Sequence, residues 1–225
     1  MTDHNAAEPE RLDIVTATGA PLGDATRAEV HRDGRWHNVF HCLVIRSGRP
    51  ARVVLQRRHR SKAAFPGLLD LSATGHLIAG ERPIDGVREL NEELGTSASP
   101  GDLTPIGVRL LADDGGEGRN RERVHLYFLA DDRSLADFGP DPAEVESLVE
   151  VEVADLLRLL AADQVDEEDA DTAASSVSAV EWRPGSAERP TTIRQTDLVP
   201  AIDGYWVVVL VMAERFVAGD RPLAI

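Results

Sequence analysis

The chain has 225 residues, of which 42% are apolar and 28% charged, the balance of a globular protein. It carries 39 acidic against 24 basic residues, and the net charge of −15 disfavours a nucleic-acid polymer as its partner. A single cysteine, Cys42, excludes an intrachain disulfide. The first residues lack a signal-peptide pattern, and the longest apolar run, 206–213, is too short to span a bilayer. We therefore expect a cytoplasmic protein with no membrane partner.

The first part of the chain predicts short strands and turns. Residues 12–15 form an expected strand, followed by a glycine-rich turn at 19–23. The aromatic and β-branched stretch 36–45 predicts a longer strand. A turn at 47–50 then leads to its expected hairpin partner at 52–57.

A long ordered loop, 61–80, separates this hairpin from a predicted helix at 83–94. Pro83 lies near the first helical position, where its missing N–H costs little, and Gly95 follows as a stop signal. A loop of this length inside a compact domain is usually functional, and we expect short strand pieces within it. The remaining expected elements are strands at 104–111, 124–130 and 148–153, a loop at 113–120, a helix at 154–162 and a packed helix at 205–217, where the run of valines leaves a strand open.

The order of these elements predicts an α/β fold, a sandwich in which helices cover both faces of a mixed central sheet. Residues 163–181 hold seven acidic residues and no basic one, which is typical of a disordered insertion. We expect four parts, namely an N-terminal strand and extension at 1–26, a central domain at 27–162, an acidic insertion at 163–189, and a helical C-terminal segment at 190–225 that packs on the domain.

Positive charge is concentrated between Arg27 and Lys62, a stretch that contains ten basic and only two acidic residues. Such a stretch suits a small polyanion such as a diphosphate. A solvated strand-and-loop surface explains it equally well, so the charge alone decides nothing.

The predicted helix carries the first chemical signal. Glu89, Glu92 and Glu93 stand at i, i+3 and i+4, so their carboxylates share one helix face. Like charges at this spacing cost an isolated helix about 0.2–0.5 kcal/mol per pair, which a cation would offset. Oxygen-only ligands suit Mg²⁺ or Mn²⁺. The alternative is an exposed helix with ordinary salt bridges, since Arg88 and Glu92 form an i,i+4 pair.

The segment before the helix favours the metal site. Gly75, five residues and Glu81 are followed by a spacer and then by Arg88-Glu89-Leu90-Asn91-Glu92-Glu93-Leu94-Gly95. This string resembles the sequence box of the Nudix family. Its spacer has six residues instead of seven, which leaves the placement of Glu81 relative to the helix open. The resemblance implies a Nudix-like α/β/α sandwich with 27–162 as the Nudix domain.

Within that family the chain is similar to the branch of isopentenyl-diphosphate isomerase, over segments 29–37, 55–58 and 65–73. In the isomerase, residues matching Arg58 and Lys62 hold the substrate diphosphate, so the resemblance implies that role here. We add His76 as a third substrate-binding candidate. His31 and His37, with His76, lie near the isomerase's metal-binding histidines and are weaker candidates for a second, softer metal.

The isomerase needs an acid/base cysteine where this chain has Thr74, whose hydroxyl cannot readily move a proton at neutral pH. Cys42 lies in the preceding strand, where we expect a small buried side chain. This chain also retains the complete Arg-Glu and Glu-Glu pattern of the box, which is incomplete in the isomerase. The sequence thus favours a hydrolase, with an isomerase or a non-catalytic nucleotide-binding module as alternatives.

The resemblance implies metal-dependent hydrolysis of a diphosphate linkage in a nucleoside-diphosphate-type small molecule, and a homodimer is compatible with it. The catalytic candidates are Glu89 as general base, Arg88 and Glu92. The metal-ligand candidates for Mg²⁺ or Mn²⁺ are Glu81, Glu89, Glu92, Glu93 and the Thr74 carbonyl oxygen. Weaker candidates for the base are Glu122, Glu144 and Glu146.

Overall fold

The structure, a computed structural model, describes residues 9–114, 119–161, 176–201 and 203–225. The strands are β1 (Arg11–Val15), β2 (Pro21–Thr26), β3 (His37–Ile45), β4 (Arg52–Arg58), β5 (Leu69–Asp70), β6 (Ala73–His76), β7 (Leu103–Asp113), β8 (Asn120–Ala130), β9 (Val145–Glu152), β10 (Val177–Trp182) and β11 (Arg189–Ile193). The helices are α1 (Arg27–Asp33), α2 (Val87–Leu94), α3 (Val153–Ala161) and α4 (Tyr205–Ala218).

All the described strands join one mixed sheet. Its main path runs β11-β10-β9-β4-β3-β1-β2, while β8 pairs with β3 in parallel and β7 pairs with β8. Helix α2 packs on one face with its core, and α3 and α4 cover the other. The predicted α/β sandwich with a mixed sheet is therefore confirmed.

The sheet divides at its centre. Strands β3 and β4 pair only through Val44↔Val54 and Ile45↔Val53. Beyond that point β6 takes the place of β4 beside β3, and β5 pairs with β4. The result is a fork whose inner arm is β3 with β6, and whose outer arm is β4 and β5 continuing through β9 to β11.

Ser72 closes the apex of this fork. Its fully buried hydroxyl accepts a hydrogen bond of 2.7 Å from the Val44 N–H and donates one to the Val54 carbonyl. These backbone groups belong to the two strands that separate there, and buried backbone groups must find partners. Ser72 therefore lets the sheet open without leaving them unpaired.

We expect Ser72→Ala to destabilise the fold by about 2–4 kcal/mol, because two buried backbone groups lose their partner at about 1–3 kcal/mol each. Urea denaturation should show a lower midpoint with an unchanged slope. Ser178→Ala, on an exposed position of β10, is the matched control and should change the free energy of unfolding little. Equal stability of the two variants would remove Ser72 from this role.

Two N-terminal elements correct the sequence prediction. The predicted turn at 19–23 ends earlier, since β2 begins at Pro21 and pairs with β1. Helix α1, which was not predicted, has a capping box in which the Thr26 hydroxyl accepts from the Glu29 N–H and Glu29 accepts from the Thr26 N–H. Gly34, with φ of 61°, ends it.

The predicted acidic insertion at 163–189 is wrong for its later part. Residues 177–182 form β10, which pairs with β9 and with β11. Val177, Ala179 and Glu181 alternate with exposed positions and face the core, the pattern of a half-buried strand. Residues 162–175 lie outside the described residues. The C-terminal segment 190–225 also begins with strand β11 before the helix at Tyr205, and no described helix is long and apolar enough to cross a membrane.

Glu181 anchors the C-terminal hairpin of β10 and β11. Its carboxylate accepts hydrogen bonds from Ser147 (2.7 Å), Arg57 (3.3 Å), Arg183 (3.2 Å) and Arg189 (2.5 Å). Burial by itself would raise the pKa of Glu181, but these hydrogen bonds and the arginine charges outweigh it and lower the pKa to about 2.

We expect Glu181→Gln to lower the free energy of unfolding by about 2 kcal/mol at neutral pH. This is less than the loss expected when a fully buried ion pair is broken, because Arg183 and Arg189 reach solvent. The folded pKa lies below the ordinary value, so the stabilisation is complete above about pH 4.5 and declines as the pH falls toward 2. Denaturation at pH 7 and pH 3 should show a smaller difference from the parent at pH 3. Glu188→Gln, exposed on the same hairpin, is the control. A difference independent of pH would contradict this account.

Candidate active site

The predicted helix at 83–94 has two parts. A 3-10 turn spans Pro83–Gly86, and α2 then runs to Leu94, where Gly95 with φ of 63° ends it. A Cβ on Gly86 would lie 2.5 Å from the Phe40 side chain, so only glycine lets the turn pass so close to β3. The buried residues that fix α2 on the sheet are Val87, Leu90, Glu93 and Leu94.

Glu89 lies directly over the backbone of β6. A Cβ built on Gly75 would come within 2.2 Å of the Glu89 Cδ, so the glycine provides the space that the carboxylate occupies. The Glu89 side chain is 16% exposed and forms an ion pair of 3.0 Å with Arg88. The carboxylate therefore has one described ionic partner and a fixed position over β6.

Glu93 connects the two arms of the fork. It is buried and accepts hydrogen bonds from the Gln56 amide (3.0 Å) on β4 and from the Thr74 N–H (3.1 Å) on β6. Burial raises its pKa to about 7, against the opposing effects of the Thr74 hydrogen bond and the Lys62 charge, and the neighbouring Glu89 adds to the rise. Burial likewise raises the pKa of Glu89. The fold thus holds two carboxylates in surroundings that disfavour their charged forms, which a nearby positive charge would stabilise.

Arg88 organises the remaining acids of the box. It donates to Glu81 through Nε (3.0 Å) and Nη2 (3.3 Å), and to Glu92 through Nη1 (2.9 Å). Glu81 also accepts from the Ile78 N–H at 2.9 Å, so the shorter spacer still brings it to the helix. The Glu92 side chain is 58% exposed. The structure therefore brings Glu89 and Glu93 to β6, and directs Glu92 toward Arg88 and solvent.

The predicted diphosphate-binding residues lie on the outer arm of the fork. Arg58 donates to Asp70 (3.1 Å), to the Ala64 carbonyl (3.1 Å) and to the Thr74 hydroxyl (3.4 Å). Lys62 forms an ion pair with Glu144, and burial lowers its pKa even though the charges of Glu93 and Glu89 act to raise it. Arg58 and Glu93 thus share Thr74 as a hydrogen-bond partner, and Lys62 lies close enough to Glu93 and Glu89 for their charges to act on it.

The three histidines form a separate cluster. His31, His37 and His76 place one ligand atom each within 4.8 Å of one another, and His31 and His76 approach to 3.1 Å between their Nε2 atoms. Burial lowers all three pKa values, that of His76 to about 2. The Nε2 atom of His37 is buried without a partner among the described residues. Within the described ranges only these histidines form such a group of three, and the glutamates of the box do not.

The weaker base candidates are dispersed. Glu122 accepts from Asn120 at 2.7 Å, and burial raises its pKa against the charge of nearby His31. Glu144 is bound to Lys62, and Glu146 to Arg60 and Arg183. Glu122 thus lies beside the histidine cluster, whereas the other two are already paired with cations.

Sequence reasoning missed four polar residues that shape the site. Gln56 and Asp70 lie in the segments that carried the family resemblance, which could have drawn attention to them. His41 hydrogen-bonds Tyr205 at 3.1 Å between Nδ1 and the hydroxyl, and burial lowers the pKa of His41 to about 3. Tyr205 comes from α4, and no local signal links it to β3.

The donor set fits a hard divalent cation. The Glu89 carboxylate lies against Gly75, whose lack of a side chain leaves the β6 backbone open, and Glu93 accepts from the adjacent Thr74 N–H. Burial raises the pKa of both carboxyl groups, so their charged forms need compensation. A divalent cation such as Mg²⁺ or Mn²⁺, which prefers oxygen ligands, would provide this compensation. The histidine cluster, by contrast, offers the nitrogen donors that suit a softer metal.

Comparison with known proteins identifies the family of this chain. The family model described as the NUDIX domain matches residues 35–175. An uncharacterised Nudix hydrolase of Clostridium acetobutylicum is 38% identical over 154 residues, covering 68% of this chain and 75% of the relative. The isopentenyl-diphosphate Delta-isomerase of Nocardia farcinica is 35% identical over 156 residues, covering 68% and 85%. A crystal structure of a Deinococcus radiodurans protein has a TM-score of 0.53 at 23% identity, covering 68% and 90%, and supports the fold.

The family match and the hydrolase relatives show an enzyme of the class that hydrolyses phosphoric anhydride bonds. The chain belongs to the Nudix family, in the branch similar to isopentenyl-diphosphate isomerase. The family, the fold and the enzyme class are thereby confirmed, while the roles of the individual residues stay predictions.

Proposed function

We propose that this protein uses Mg²⁺ or Mn²⁺ to hydrolyse a diphosphate linkage in a nucleoside-diphosphate-type small molecule. The observation that carries the proposal is the pair formed by the half-buried Glu89 and the buried Glu93, held against Gly75 and Thr74 beside the cations Arg58 and Lys62. Carboxylates and phosphate-binding cations must meet in this way where a metal is shared between protein and diphosphate.

Each residue has a defined task in this proposal. Glu93 and Glu89 would provide the ligand oxygens of a divalent cation, which would supply screening of phosphate charge and a water of lowered pKa. Glu89 takes the proton of the attacking water, while Arg58 and Lys62 hold phosphate oxygens through charge-assisted hydrogen bonds. Arg88 orients Glu89 and Glu81 through its ion pairs.

An isomerase is the second candidate, favoured by the isomerase relative and by the histidine cluster. Two observations oppose it. Thr74 occupies the place of the isomerase cysteine, and Cys42 is fully buried with its pKa raised by burial, so its thiol cannot serve as a reachable acid or base. Incubation with isopentenyl diphosphate should give no allylic product.

The test is a screen of diphosphate compounds with Mg²⁺, with Mn²⁺ and with a chelator, in which products are identified by mass. We expect cleavage at a phosphoric anhydride that requires the added metal. Binding without turnover across the panel would instead favour a non-catalytic module. An allylic product from isopentenyl diphosphate would replace the hydrolase by the isomerase.

A further inference from the structure

A second concentration of positive charge lies beside the candidate site. Its members are four arginines on the outer arm of the fork and the hairpin beyond it, here called the arginine strip, namely Arg57, Arg60, Arg183 and Arg189. They contact two carboxylates: Glu181 binds Arg57, Arg183 and Arg189, and Glu146 binds Arg60 and Arg183. None of these arginines has a task in the proposed cleavage.

The strip holds more positive charge than its partners neutralise. Four guanidinium groups face two carboxylates, which leaves two positive charges in a chain whose net charge is −15. Three of the side chains reach solvent, Arg60 with 80%, Arg189 with 58% and Arg183 with 36% of its side chain exposed. The donors of these solvent-reaching guanidinium groups and the excess charge are therefore available to an anion.

The strip continues from the residues that we propose to hold the diphosphate. Arg60 lies two residues before Lys62 in the chain. Glu144, the partner of Lys62, likewise lies two residues before Glu146, the partner of Arg60 and Arg183. Two residues of chain span at most about 7 Å. A molecule whose diphosphate lies at Lys62 can therefore reach the strip with a group a few bonds further on.

We propose that the arginine strip binds a second phosphate group of the substrate, so that the preferred substrates are diphosphates bearing an additional phosphomonoester. The planar guanidinium matches phosphate oxygens with paired hydrogen bonds, and several arginines together suit a dianion. Arg183 and Arg189 follow residue 175, where the family match ends, so these two members of the strip belong to the part of the chain outside it. The proposal rests on the proposed function, because it names the substrate class of the same site.

The first experiment compares substrate pairs that differ only in one phosphomonoester, NADPH with NADH and coenzyme A with its 3′-dephospho form, by kcat/KM with Mn²⁺. We expect the phosphorylated member to be preferred. Arg60→Gln and Arg183→Gln should each reduce that preference about tenfold, the loss of a charge-assisted contact. Arg60 is so exposed that its replacement leaves the fold intact. Arg158→Gln, an exposed arginine of α3 paired with Asp155, is the control and should keep the preference.

A binding measurement separates this inference from the hydrolase assignment. Calorimetry with adenosine 3′,5′-bisphosphate and with AMP needs no turnover, and we expect the bisphosphate to bind more tightly unless Arg60 or Arg183 is replaced. Equal binding of the two nucleotides, or equal kcat/KM within both pairs, would overturn the proposal while leaving hydrolysis untouched. Inorganic phosphate that binds as tightly as the bisphosphate would assign the strip to free phosphate and also overturn it. Tighter bisphosphate binding without cleavage of any diphosphate would keep the strip and count against the hydrolase.

Discussion

Glu89→Gln should reduce kcat by about 10²–10⁴-fold, the range that a general base contributes. The amide cannot accept the proton of water, and it also removes a charged ligand oxygen. The substitution should not weaken the fold, because burial raises the pKa of Glu89 and a neutral side chain avoids the cost of a buried charge. Turnover under saturating metal and the denaturation midpoint measure the two effects separately.

Two comparisons make this result specific. Glu214→Gln, exposed on α4, makes the same chemical change away from the site and should leave kcat unchanged. Glu92→Gln should cost less than Glu89→Gln, because Glu92 is 58% exposed and its described partner is Arg88. If Glu92→Gln proved the more damaging, the base or the main ligand would have to be reassigned. Turnover of Glu89→Gln equal to that of the parent would remove Glu89 from the mechanism.

Gly75→Ala should reduce kcat by about a hundredfold although it leaves the chemical identity of every proposed proton-transfer group unchanged. The added methyl would overlap the Glu89 carboxylate, whose Cδ lies 2.2 Å from the new Cβ, so the carboxylate must move away from β6. A displacement of about 1 Å in a catalytic group is enough for a loss of this size. The effect should fall on kcat more than on KM, because Arg58 and Lys62 still bind phosphate.

The control for this change is Gly48→Ala. A Cβ at Gly48 meets nothing within 4 Å, so the same substitution adds a methyl group in open space. We expect parental turnover and stability from it. The double variant Gly75→Ala with Glu89→Gln should be hardly worse than Glu89→Gln alone, since both changes remove one function. Full additivity would show that Gly75 acts by another route.

The sequence predicted α2 well because its signals are local. Pro83 and Gly95 mark its ends, and the apolar spacing of Val87, Leu90 and Leu94 defines the buried face. The directions of the acidic side chains depend on other elements. Glu93 can be buried because Gln56 and Thr74 donate hydrogen bonds to it from two different strands. The spacing of residues along the helix does not predict such contacts with other elements.

Two elements were not predicted from the sequence, β10 and α1. The residues of β10 follow an acidic stretch, so its short alternation was assigned to a disordered insertion, although pairing with β9 and β11 determines the strand. Helix α1 has only seven residues, and the Thr26–Glu29 capping box decides its start. Short elements of this kind depend on tertiary partners more than on periodicity.

The fork in the sheet has an implication for how this enzyme can diversify. The carboxylate of Glu89 lies on the inner arm, whereas the side chains proposed to hold phosphate and the hairpin with Arg183 and Arg189 belong to the outer arm. In the proposed mechanism, bond cleavage and substrate selection therefore depend on separate parts of one scaffold. Exchanging the hairpin for that of a relative could redirect the enzyme to new compounds while the cleavage apparatus is inherited unchanged.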